Sequence, residues 1–218
     1  MDTDGRNDEI EGFLQTKLPP PPSVLTLPPE TTSIAAGSLL WRVYFRGGRH
    51  PGNWSELRAF GPTDSRFDHH VPPPRVQSRA ILYATVAIPT CLAEVYQRTR
   101  TIDRNDRSPW LVGLRLAEAV ELLDLTGTWP TRAGASTVIN SGPRSRARLW
   151  SRAIYDAYPH VEGLSYASSM HGHRSAIALY ERAEHKIQPQ PEFNRPLKDP
   201  ILLNSLKKIS RDLNYAIV

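Results

Sequence analysis

Apolar and polar positions along this chain follow two rhythms, and each marks a different kind of element. Ser38–Arg46 (SLLWRVYFR) is dense in branched and aromatic residues and predicts a strand. Ala80–Ala87 (AILYATVA) predicts a second. Leu111–Leu116, Val120–Leu125, Gly163–Ala167 and Ala176–Tyr180 predict others, the last two joined through a polar turn. The helical rhythm appears in Pro89–Arg100, where proline stands in the first turn and its missing N–H costs nothing. It recurs in Gly142–Tyr158, with apolar Leu149, Ala153, Ile154 and Ala157, and in Pro200–Leu213. Tyr215–Val218 reads as a final edge strand. No segment repeats, and strands and short helices alternate without a βαβ rhythm. The expected fold class is therefore α+β, one compact domain with a mixed β core and flanking helices.

Two stretches escape both rhythms. Residues 1–36 carry a short amphipathic segment, Glu9–Leu18, and then the run Pro19–Pro22 with Pro28 and Pro29 beyond it. Proline has no N–H to give a helix or a central strand, so this segment reads as an extended, polyproline-like linker that lies along the domain or docks a partner. The domain proper is drawn over 37–218, with the C-terminal helix at 200–213. Gly47–Pro74 is long, polar and rich in Gly, Pro and His, and a loop of that length inside a compact domain is usually functional or mobile.

Composition narrows the classes. The 218 residues suit one domain and bury a core without disulfides or metal. No run approaches the roughly 20 apolar residues of a membrane span. The N-terminal MDTDGRNDEIEG is too acidic and polar for a secretory signal. The single cysteine, Cys91, allows no internal disulfide and fits a reducing, cytoplasmic setting. Lys and Arg number 27 against 22 Asp and Glu, a net charge of +5 that favours phosphorylated or otherwise anionic partners. The densest basic run, Arg144, Arg146, Arg148 and Arg152, reads first as the solvated face of its helix. With five tryptophans it also keeps open a nucleic-acid-binding module, although no nucleic-acid motif supports one and direct binding is not expected. A non-catalytic interaction module docking through the proline-rich segment is a further alternative.

Common chemical motifs are absent. There is no GxGxxG and no GxxxxGK[ST], and Gly47-Gly48 lacks the spacing of a phosphate loop. His69-His70 and His171-x-His173 have no CxxC or HExxH companion, so no metal site is expected. Cys91 sits on an apolar helix, where a small buried residue is the ordinary reading. Glu94 is different. It closely follows the strand Ala80–Ala87, in a helix whose neighbouring positions Leu92, Ala93 and Val95 are apolar. It projects either to the surface or into a recess at the strand–helix junction.

Several segments in order resemble the RES domain, a family named for an arginine, a glutamate and a serine. They are Leu40-Trp41-Arg42-Val43, then Arg66-Phe67 after a glycine-containing loop, then Leu82-Tyr83-Ala84 running into Leu92-Ala93-Glu94-Val95. Gly163-Leu164-Ser165-Tyr166-Ala167-Ser168 follows, and Ala178-Leu179-Tyr180 closes the set, which spans 38–182. The arginine, glutamate and serine of the resemblance are Arg66, Glu94 and Ser168, with Ser169 adjacent as the alternative serine. The sequence departs from the family pattern in the PPPRVQSR segment after Arg66 and in a long stretch between Glu94 and Gly163.

The resemblance implies an ADP-ribosyltransferase-like fold and a toxin that consumes NAD⁺ as substrate, with no resident cofactor. It implies Glu94 beside the ribose, where a carboxylate stabilises an oxocarbenium-like transition state. Arg42 and Arg66 are implied on the pyrophosphate, whose oxygens suit guanidinium forks. Tyr83 is implied against the nicotinamide or ribose, and Ser168 on the ribose or on Glu94. The acceptor stays open among water, phosphate and a protein side chain. The implied partner is an antitoxin with an Xre-like DNA-binding domain; self-association as a homo-oligomer stays open.

Overall fold

The computed structural model describes residue 12 and residues 17–172 and 174–218. The chain folds as a single α+β domain around a nine-stranded mixed sheet. In spatial order the strands are β1 (Thr31–Ile34), β7 (Val120–Asp124), β8 (Gly163–Ala167), β9 (Ser175–Tyr180), β4 (Arg75–Thr85), β2 (Leu39–Phe45), β6 (Pro109–Arg115) and β10 (Phe193–Pro196). The ninth strand, β3 (Arg58–Gly61), pairs with the first half of β4. β7 and β8 run parallel, and the other neighbours are antiparallel. A separate parallel pair joins β5 (Thr101–Ile102) to β11 (Ala216–Ile217).

Both faces of the sheet are buried because side chains alternate along each strand. On β4, Ile81 enters one core with Trp129, Trp150 and Ile154, while Leu82 and Ala84 enter the other with Leu40, Leu114 and Leu179. The first core is closed by α2 (Trp129–Arg132) and α3 (Arg144–Ala157). A third core packs α1 (Ile88–Val95) and α4 (Leu203–Leu213) against β2 and β6 through Leu92, Leu111, Ile102 and Leu206.

The sheet parts at one place. β2 pairs with β6 along its whole length, Leu39 to Phe45, yet meets β4 only at Trp41 and Thr85. α1 leaves the end of β4 and packs against both strands where they diverge. The strand–helix junction that carries Glu94 therefore sits where the sheet opens.

Several boundaries differ from the sequence reading. The strand expected from Ala80 begins at Arg75, because β3 gives its first half a partner. The helix expected to Arg100 stops at Val95, and Arg100 then adopts a left-handed backbone (φ 51°) as the chain turns into β5. The expected loop 47–74 contains β3. β10 was not anticipated and pairs with β6 from Phe193 to Pro196.

The segment 1–36, set apart as an extension, is anchored on the domain at several of its described residues. Thr31–Ile34 pairs with β7, Leu18 is fully buried, the Trp150 indole donates to the Pro19 carbonyl (2.8 Å), and Tyr158 Oη donates to the Leu27 carbonyl (2.6 Å). Prolines exclude helix but leave carbonyls free, and the Pro19 carbonyl accepts from the Trp150 side chain of α3. Most of the amphipathic stretch expected over Glu9–Leu18 lies outside the described residues.

Candidate functional site

Two recesses meet at Glu94. The larger, of about 420 Å³, is lined by Thr63–Arg66, Tyr83, Glu94, Gln97, Arg98, Asn140, Arg144, Tyr166 and Ser169. The smaller, of about 210 Å³, is lined by Arg42, Val43, Arg58, Ile81, Ala84, Thr85 and Cys91. Tyr83, Glu94, Val95 and Tyr166 belong to both, so they form the waist. Glu94 reaches that position because only two residues separate the end of β4 from the start of α1, placing its second turn over the gap between β2 and β4.

The carboxylate of Glu94 is held from behind. Ser168 Oγ lies 2.5 Å from Glu94 Oε1, and the same Oγ accepts from the backbone N–H groups of Met170 and His171, both at 3.1 Å. Two donors already occupy the lone-pair side of the hydroxyl, so its proton points to Glu94. Ser168 is buried and does not line either recess, whereas its neighbour Ser169 lines the larger one. The two adjacent serines thus divide: Ser168 orients the carboxylate, and Ser169 faces the space.

Arg66 lies on the wall of the larger recess, with its guanidinium donating to the carbonyls of Gly142 and Ser141. Burial lowers its pKa, and so does the charge of Arg144 close by. Arg144 opens α3, lines the same recess, and donates to Gln97 Oε1 (2.9 Å) and to Asp64 Oδ2 (3.2 Å). Arg148 reaches the other oxygen of Asp64 (3.2 Å). Arg144 and Arg148 are therefore engaged at this wall, while the sequence reading had them on a solvated face.

Arg42 faces the smaller recess instead. Its Nη1 donates to the carbonyls of Trp54 (3.1 Å) and Glu56 (2.8 Å), and burial lowers its pKa to about 10, which leaves it charged at neutral pH. Arg42 and Arg66, expected on one pyrophosphate, line different recesses. Tyr83, between them, keeps its phenol protonated because burial raises its pKa, and its Oη has no hydrogen-bond partner among the described residues. Burial does the same to Tyr166, whose ring packs on Phe67 at 4.7 Å.

The loop that presents Arg66 is anchored by a buried carboxylate that sequence reading missed. Asp68, fully buried, accepts from Arg58 Nη2 (2.9 Å), the Thr63 backbone N–H (2.7 Å), Thr63 Oγ1 (2.8 Å) and the His70 backbone N–H (3.1 Å), and it contacts His70 Nδ1 (2.6 Å). Burial alone raises its pKa, but these partners together hold it well below the usual carboxylate range. A side chain at Gly61 would place its Cβ 2.5 Å from the His70 ring, so glycine lets the loop close. The only sequence signal for Asp68 was its place directly after Arg66-Phe67.

The remaining candidates resolve as structural. Burial pushes the Cys91 thiol up to about 12, which leaves it without a thiolate at neutral pH. His69 is stacked on Tyr155 (centroids 4.4 Å), with its Nε2 3.7 Å from Glu181 Oε2. His70 is tied to Asp68. His173 lies outside the described residues, and among the described residues no three His, Cys, Asp or Glu side chains gather as a metal site. No helix among them is long and apolar enough to cross a membrane.

The family model of the RES domain matches residues 39–198. In a search of solved structures, a chain from the crystal structure of the M. tuberculosis MbcT–MbcA toxin–antitoxin complex is similar at a TM-score of 0.53 with 17% identity. The match covers 81% of this chain and 92% of that one. No curated protein matches the sequence.

Proposed function

The chain belongs to the RES-domain family, and on that premise we propose that it cleaves the bond between nicotinamide and ribose in NAD⁺. The observation that carries this reading is the position of Glu94, shared by two recesses and oriented by Ser168. A carboxylate at a waist acts on a bond that spans the waist. As the C–N bond breaks, its electron pair leaves with the nicotinamide nitrogen and positive charge develops on the ribose. A fixed anion in a partly dry site stabilises that charge.

The two recesses fit the two leaving halves. The smaller has apolar walls from Val43, Ile81 and Ala84 and takes nicotinamide. Arg42 stands there as a fixed cation, which disfavours the positively charged ring of NAD⁺ over the neutral nicotinamide that departs. The larger recess takes ADP-ribose, with Arg66 and Arg144 on the pyrophosphate. Tyr83 and Tyr166 supply flat walls at the junction. The acceptor that completes the reaction is water, phosphate or a protein side chain, and all three share the first step.

An enzyme that drains NAD⁺ injures its own cell unless restrained. The similar chain comes from a toxin–antitoxin complex, which supports a reading of this protein as a toxin held by an antitoxin protein, of the Xre-like type that the family resemblance implies. The test follows nicotinamide release from NAD⁺ by purified protein and by Glu94→Gln, with and without phosphate. Release by the wild type that falls about 10²–10³-fold in the variant is expected, and a phosphate requirement names the acceptor. Folded, partner-free protein that releases no nicotinamide under any condition rejects the reading.

A further inference from the structure

A third recess, of about 280 Å³, shares no residue with the two that meet at Glu94. Its polar and aromatic lining comes from Arg46, Arg104, Asn105, Ser108, Trp110 and Lys198. Among the described residues, none of its cations pairs with an Asp or Glu side chain. The Arg46 guanidinium lies 3.6 Å over the Trp110 ring and uses only Nε, which donates to Tyr44 Oη (3.1 Å). Arg104 likewise uses only Nε of its side chain, on a backbone oxygen of Val218, the last residue of the sequence (3.2 Å). Among the described residues, the terminal nitrogens of both arginines and the ammonium of Lys198 meet no acceptor. The nearby carboxylates are turned elsewhere: Asp106 pairs with Arg107 (3.1 Å), and Asp199 with Arg195 (2.8 Å). By contrast Arg144, Arg148, Arg58 and Arg79 all hold carboxylates.

Two features show preorganisation. Stacking on Trp110 fixes the Arg46 fork, so little freedom is left to lose when it binds. The loop beneath it is strained: Arg107 and Ser108 are consecutive non-glycine residues with φ of 55° and 49°. Strain of this kind gathers at ligand clamps, and the loop is pinned there by Arg46 N–H donating to the Ser108 carbonyl (3.1 Å).

We propose that this recess is a second anion site and that it takes the phosphoryl group of a small phosphorylated molecule. Two forks and an ammonium offer more donors than the two oxygens of one carboxylate accept, whereas a tetrahedral phosphoryl group presents three oxygens. Nucleic acid fits less well. Proteins that hold single strands offer open aromatic faces to bases, and the exposed face of Trp110 is covered by Arg46. The site is independent of the NAD⁺ reading, since its lining shares no residue with the two recesses that meet at Glu94.

The test titrates the full chain with inorganic phosphate and pyrophosphate and follows the Trp110 indole N–H and the Ser108 amide by NMR, with Trp110→Phe to assign the indole. Saturable shifts in both are expected. Arg104→Ala and Lys198→Ala each weaken that binding about tenfold, the loss of one charge-assisted hydrogen bond, while Arg66→Ala leaves it unchanged. Lys198→Ala also leaves nicotinamide release unchanged, which keeps this result separate from the NAD⁺ test. Absence of saturable shifts, or binding insensitive to Lys198→Ala and Arg104→Ala, overturns the proposal. Shifts produced by a single-stranded oligonucleotide but not by pyrophosphate overturn it as well, and assign the surface to nucleic acid.

Discussion

At the scale of single residues, the candidate site separates groups that face the recesses from groups that aim them. Ser168 belongs to the second kind. Its hydroxyl proton is directed at Glu94 by two backbone donors, so Ser168→Ala removes one charge-assisted hydrogen bond and leaves the carboxylate in place. The expected result is a fall in kcat of about tenfold or more with KM little changed, read from steady-state nicotinamide release. Ser169→Ala, which touches the recess but not Glu94, should move KM instead. Cys91 gives the opposite expectation. Its thiol is pushed up to about 12 by burial, so iodoacetamide at pH 8 leaves it unmodified in the folded protein and fully modified in denaturant, as mass spectrometry would show. The identity of the Glu94–Ser168 pair was legible in the sequence through the family-like segments. Their contact was one of the two roles the resemblance implied for the serine, and the 2.5 Å distance between residues 74 positions apart came only with the tertiary structure.

At the scale of elements, the loop from Gly61 to His70 is tied into one cradle by hydrogen bonds to a single carboxylate. That carboxylate is Asp68, which no periodicity could have flagged, since a lone acid after Arg66-Phe67 looks like any loop charge. Asp68→Asn leaves Arg58 partly unpaired and is expected to destabilise the fold by about 3 kcal/mol. Hydrogen exchange should speed up over residues 62–70, and the KM for NAD⁺ should rise with kcat less affected, since Arg66 loses its fixed position. Glu181, just after β9, shares the acid limb of the pH dependence with Asp68. Burial by itself raises its pKa, but His69, the Ala80 amide and Tyr155 hold it at about 2 against an ordinary 4.5. The folded value lies below the unfolded one, so the unfolded chain binds the extra proton in that window. Glu181 therefore contributes stability above about pH 4.5 and loses it as pH falls towards 2. Urea midpoints measured from pH 5.5 to 2.5 should drop along this limb, and Glu181→Gln should flatten it.

At the scale of the whole molecule, the N-terminal segment is part of the fold. Leu18 is fully buried beside Trp150, and Thr31–Ile34 closes one edge of the sheet along β7. Leu18→Ala is expected to cost about 3 kcal/mol, as removal of a buried leucine side chain does. A chain shortened to begin at residue 37 should lose more, because it also exposes the β7 edge. Thermal melts of both would check this, and a shortened chain that melts with the full one would show that the segment is dispensable.

What the sequence determined by itself was local or carried in motifs. Alternation of branched residues placed β2, β8 and β9, the proline at position 89 marked the first turn of α1, and the ordered segments from Leu40 to Tyr180 identified Arg66, Glu94 and Ser168 as residues to watch. These readings work because a strand or helix answers to its own side-chain period. Tertiary structure alone decided where those residues meet. The parting of β2 from β4, the pairing of β1 and β10 with distant strands, the turn of Arg42 into one recess and Arg66 into another, and the engagement of Arg144 all depend on contacts between residues far apart in sequence. Such contacts are fixed by packing and by the pairing of buried polar groups, and neither leaves a periodic trace along the chain.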